Sequence, residues 1–98
     1  MYNEASRLGE KVKSCDNLAT ISTIKELDAV ALTCDLPEQR LTRGDVGAVV
    51  LVHGNGAAFE VEFVGYYGHT VALLTLERNQ VRPLQTNDIP HARELVAA

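Results

Sequence analysis

Aromatic side chains are scarce in this chain: Tyr and Phe make up 5% of its 98 residues, and Trp is absent. Proteins that hold nucleic acid need stacking rings and a basic surface. Here nine Lys and Arg stand against thirteen Asp and Glu, a formal net charge of -4, so nucleic acid is not the expected partner. Cysteine is limited to Cys15 and Cys34, with no CxxC pair and no Cys/His ligand spacing. Two reduced thiols and no metal centre are expected. No apolar run approaches the ~18 residues of a membrane helix, and the opening residues lack the apolar block of a secretory signal. The expectation is a cytoplasmic protein without a membrane partner.

Catalytic signatures are missing too. No Ser/His/Asp arrangement is readable from spacing, and no helix start follows Gly54-Asn55-Gly56, as a phosphate cradle requires. Neither an enzyme nor a cofactor is expected.

What the chain does have is concentrated between Arg43 and Val64, RGDVGAVVLVHGNGAAFEVEFV. Two apolar runs flank His53-Gly54-Asn55-Gly56, and Asn-Gly supplies the positive φ angles of a type I′ hairpin turn. After the turn, Phe59, Val61 and Phe63 alternate with Glu60 and Glu62, the period of a half-buried strand. Further strands are predicted over Asp28–Cys34, Val46–His53, Ala57–Val64, Thr70–Leu76 and Val81–Leu84. Pro37 marks a long first loop, and 77–80 suits a 3₁₀ turn. The chain divides into an extension over 1–23, flexible or weakly helical, a core over 24–84, and a tail over 85–98. In the tail, Asn87 or Asp88 caps a short helix beginning near Pro90. The predicted fold is mainly β: a small five-stranded SH3-like barrel with short terminal helices or tails.

Two strands are apolar on both faces, which normally means cover on both sides. A five-stranded barrel has one interior. Val49, Leu51, Leu74 and Leu76 are therefore assigned to a second apolar surface, covered by the terminal segments, by a second copy in a homodimer, or by another protein. Tyr66 and Tyr67, bracketed by glycines, are candidate interface anchors. With Arg40 and Arg43 of the long loop they complete the predicted partner-binding set.

Other residues have plainer readings. Glu60 and Glu62 lie on one side of a strand, roughly 7 Å apart; a solvated face that discourages edge pairing is preferred over glycosidase chemistry. His53, His69 and His91 have no ligand spacing and are expected to flank turns. Arg43-Gly44-Asp45 spells the adhesion tripeptide, but reads as a turn in which Gly supplies positive φ.

From Ile24 to Leu84 the chain resembles a family of small bacterial proteins known as domain of unknown function 4926. The resemblance is carried by Glu26-Leu27-Asp28, Val30-Ala31-Leu32, Asp35-Leu36-Pro37-Glu38, Leu41 and Gly44-Asp45-Val46-Gly47-Ala48-Val49-Val50. It continues through Glu60-Val61-Glu62-Phe63-Val64, Leu73-Leu74-Thr75-Leu76 and Gln80-Val81-Arg82-Pro83-Leu84. It implies an SH3-like fold and no reaction. Gly44 to Val50 is also similar to the glycine-valine element of KOW modules. An RNA-binding role of that kind wants a basic rim, whereas residues 24–84 hold five bases (Lys25, Arg40, Arg43, Arg78, Arg82) and eight acids. The expected function is a non-catalytic protein-interaction module, homodimeric or serving as an accessory or antitoxin-like binding protein, with KOW-type RNA binding as the alternative.

Overall fold

The turn at His53 sets the geometry of everything around it. The computed structural model describes residues 24–95. Within them β2 (Val46–His53) and β3 (Ala58–Val64) form a hairpin. The His53 carbonyl accepts the N–H groups of Gly56 and Ala57, both at 3.0 Å. Gly54 and Asn55 carry φ of 55° and 59°. The central pair of the turn is thus Gly54-Asn55, one residue earlier than the Asn-Gly pair that the sequence suggests.

Three more strands complete one antiparallel sheet: β1 (Ala29–Leu32), β4 (Thr70–Glu77) and β5 (Val81–Pro83), in the order β4-β3-β2-β1-β5. Among the described residues no ladder joins β4 to β5, so the sheet they form is not closed into a barrel. A 3₁₀ turn over Arg78–Gln80 links these two strands, and the Gln80 side chain accepts the Glu77 N–H at 2.8 Å. Thr33 fastens the end of β1 to this turn, donating from Oγ1 to the Asn79 carbonyl at 2.8 Å and from N–H to that of Gln80 at 2.9 Å. A second 3₁₀ turn, Pro37–Gln39, sits within the long loop.

The core lies on one face of the sheet. Phe59, Val61 and Phe63 of β3 pack with Val30, Leu32, Val49, Leu76 and Val81, and Ile24 and Leu41 close its margins. The clean alternation of β3 is therefore borne out. Its neighbours behave otherwise than expected, and the registers say why.

In the β2–β3 ladder Val49 pairs with Val61 and Leu51 with Glu60, leaving Val50 as the extra residue of a β-bulge. A bulge resets the two-residue period. Val49 is consequently core, with no exposed surface, while Val50 and Leu51 are both exposed. In the β3–β4 ladder Leu76 pairs with Phe59 and Leu74 with Val61. Paired residues share a face, so Leu76 is buried and Leu74 packs against the core. The outer surface assigned to Val49, Leu51, Leu74 and Leu76 is not built from those four residues; of them, only Leu51 is on it.

The tail is also different. Residues 84–95 contain no helix. Asp88 accepts the Gln85 N–H at 2.6 Å, and the Asp88 N–H bonds back to the Gln85 carbonyl at 3.0 Å, closing a turn where a helix cap was expected. Arg82 of β5 grips the same carboxylate with two bonds of 2.9 Å. The helical stripe expected within 1–23, and Cys15 with it, lie outside the described residues.

Candidate functional site

At one end of the sheet the long loop, the β3–β4 turn and the tail meet around a groove of about 580 Å³. Each wall is fixed by local chemistry. The loop is pinched by the Leu36–Leu41 bridge. Asp35 accepts the Arg43 N–H and Asp45 accepts the Thr42 N–H, each at 2.8 Å. These carboxylate-to-backbone bonds replace ladder bonds that a loop cannot make.

The turn wall is Gly65 to His69. Gly65 donates to the His69 carbonyl and Gly68 to that of Gly65, both at 2.9 Å. Gly65 allows a close approach: a Cβ there would lie 2.4 Å from the His69 ring. The glycine thus lets the imidazole lie across the turn. Tyr66 and Tyr67 project from its tip, 96% and 92% exposed, with their rings edge to face at 5.4 Å.

The tail supplies the third wall. Arg93 donates to both oxygens of Asp45, at 2.8 and 2.6 Å, and to the Arg40 carbonyl at 3.0 Å. Burial by itself would raise the Asp45 carboxyl, but the bonds from Arg93 and Thr42 and the guanidinium charge outweigh it and hold the group below its ordinary range. Leu41, Phe63, Val64 and Val71 give the groove an apolar floor, with Tyr66 and His69 along one edge.

The structure therefore brings the loop that carries Arg40 and Arg43 to the same end as Tyr66 and Tyr67. All four side chains belong to exposed residues. The other predicted members separate from them: Val49 and Leu76 are core, and Leu51 stands on the outer face of the sheet. That outer face also exposes Val50 and Leu73, which are not among the residues predicted for it. Alternation alone does not say which set of β4 residues faces out; the pairing of Leu76 with Phe59 decides it and puts Leu73 outside.

Glu60 and Glu62 lie on this open face, not in a cleft. Thr75 Oγ1 donates to Glu60 at 2.6 Å and His53 Nε2 lies 3.0 Å from the same carboxylate oxygen, while Thr70 Oγ1 donates to Glu62 at 2.5 Å. The Thr75 bond first, then the His53 contact, hold Glu60 below the usual carboxylate range. A carboxyl so held stays ionised at neutral pH and is a poor proton donor. Among the described residues no three His, Cys, Asp or Glu side chains converge as metal ligands. No helix among them is long and apolar enough to cross a membrane.

Residues 26–83 match the family described as Domain of unknown function (DUF4926). No curated protein and no solved structure matches the chain.

Proposed function

Since the chain belongs to the DUF4926 family, whose description names no activity, we propose from its geometry a non-catalytic protein-interaction module on an SH3-like barrel. The strand order β4-β3-β2-β1-β5 and the 3₁₀ turn before the last strand support the barrel reading. The observation that carries the functional reading is the Tyr66–Tyr67 pair. Two tyrosines almost wholly in water, on a hydrogen-bonded turn beside an apolar groove, have the form of interface anchors. They hide no core surface of their own, so folding alone does not explain them.

Arg40 and Arg43 border the same end and favour a partner that presents carboxylates to them and an apolar side chain to the groove. The module is read as cytoplasmic, working as an accessory or antitoxin-like subunit or by binding its own kind. The KOW-type alternative draws on the same arginines and tyrosines, but the acidic balance of the core opposes a phosphate backbone.

The test is affinity capture from the source cell with the full chain and with a Tyr66→Ala/Tyr67→Ala double variant. A protein held by the first and lost from the second supports the reading. Identical captures from both would refute it. Capture of RNA that disappears steeply as salt is raised would transfer the role to the KOW-type reading.

A further inference from the structure

The outer face of the sheet exposes three large aliphatic residues, Val50 and Leu51 of β2 and Leu73 of β4, at 41%, 43% and 57%. Charge divides them. The registers place Leu51 directly opposite Glu60 and Leu73 directly opposite Glu62. Paired residues share a face, so each leucine stands beside one carboxylate, on opposite sides of β3.

Both carboxylates are oriented but only partly used. Thr75 Oγ1 and His53 Nε2 reach the same Glu60 oxygen, Oε2, and Thr70 Oγ1 reaches Glu62 Oε2. Among the described residues neither Oε1 atom receives a hydrogen bond. The three strands that build this face contain no Lys or Arg. Two of the chain's arginines are spent elsewhere, Arg82 on Asp88 and Arg93 on Asp45. The face is thus a fixed anionic centre between aliphatic flanks.

Charge narrows what can lie on it. A second copy laid face to face would set carboxylate against carboxylate, and nucleic acid or an anionic membrane would be repelled. Residues 1–23 offer no net complement, since Arg7, Lys11 and Lys13 are balanced by Glu4, Glu10 and Asp16.

We propose that this face docks a basic amphipathic helix of another protein. Lys or Arg at i and i+4 of that helix would meet Glu60 and Glu62, with aliphatic side chains against Leu51 and Leu73. A helix is the element that packs on the face of a sheet. The spacings agree: alternate residues of a strand stand about 7 Å apart, and helix residues four apart about 6 Å. The aliphatic contacts exclude water around the ion pairs, which strengthens them. The docking rests on reading the chain as an interaction module but uses a different surface from the tyrosine turn, so the two fail separately.

NMR titration of the full chain with synthetic helices tests it. The probe is an alanine-based peptide of about eighteen residues, long enough to be helical, with Lys at i and i+4 flanked by Leu. A control peptide carries Glu in place of Lys. The Lys peptide is expected to shift the Leu51 and Leu73 methyls and the Thr70 and Thr75 amides, less so as salt is raised. A Glu60→Gln/Glu62→Gln chain, whose amide oxygens still accept from the threonines, is expected to bind it about tenfold or more weakly. A Tyr66→Ala/Tyr67→Ala chain should bind it like the wild type. Equal binding of the Lys and Glu peptides overturns the proposal, as does a Lys peptide that shifts nothing on this face. Leu51 and Leu73 methyls that shift with the chain's own concentration would give the face to a second copy and overturn it too.

Discussion

Arg93 and Asp45, forty-eight positions apart in the chain, form a two-pronged ion pair with N···O distances of 2.8 and 2.6 Å. The pair lays the tail against the loop and so makes the third wall of the groove. Planar guanidinium-carboxylate geometry fixes direction as well as distance, which a single point charge would not. Arg93→Ala is expected to release residues 90–95 from the loop with little loss of global stability, because the pair is partly solvated. Backbone NMR shifts confined to the tail, Arg40 and 42–45 would check this.

The tail is also expected to respond to acid. Asp88 is lowered to about 2, first by its hydrogen bonds from Arg82 and then by the Gln85 N–H. A carboxyl lowered on folding contributes fully above its unfolded value, here about 3.8. The contribution fades as pH falls toward the folded value. The turn at 85–88 should therefore persist at pH 5 and open between about pH 4 and 2. Asp88→Asn should remove that transition. An NMR titration of the Gln85 amide reads both outcomes.

The bulge at Val50 makes a sharp distinction between neighbours. Val49→Ala should cost about 1.5–3 kcal/mol, the value of a fully buried aliphatic side chain. Leu51→Ala, though it removes more atoms, should stay within about 0.5 kcal/mol, as exposed substitutions do. Urea denaturation of the two variants tests the register directly, since an unbulged strand would put both residues on one face.

Gly47 has its own steric constraint. A Cβ at this position would stand 2.7 Å from Val61 Cγ1, 2.9 Å from Phe63 Cε2 and 3.0 Å from the Glu62 carbonyl oxygen. Two of those atoms belong to core side chains, and the third is backbone. Gly47→Ala is expected to destabilise by roughly 1–3 kcal/mol through overpacking, visible as a lowered urea midpoint.

Much of this architecture was legible in the chain. β2 was placed at its observed bounds, Val46–His53, and the other strands within two residues at either end. Period-two alternation and turn residues are local signals, and they sufficed there. What failed was non-local. A bulge depends on how two strands meet, so nothing within VGAVVLVH marks Val50 as the extra residue. The tail helix fails for a related reason: Asn87 or Asp88 has the chemistry of a cap, but Arg82 and the Gln85 N–H claim the Asp88 carboxylate. The Tyr66–Tyr67 turn was readable because flanking glycines mark it, whereas the Arg93–Asp45 pair had no local mark.

Tyr66 and Tyr67 carry the central claim, that their turn is shaped for a partner and not for the fold. Urea denaturation of a Tyr66→Ala/Tyr67→Ala chain tests it most directly. Both rings are almost wholly exposed, so its stability should stay within about 0.5 kcal/mol of the wild type, as exposed substitutions do. A loss as large as that of a core substitution would contradict the account.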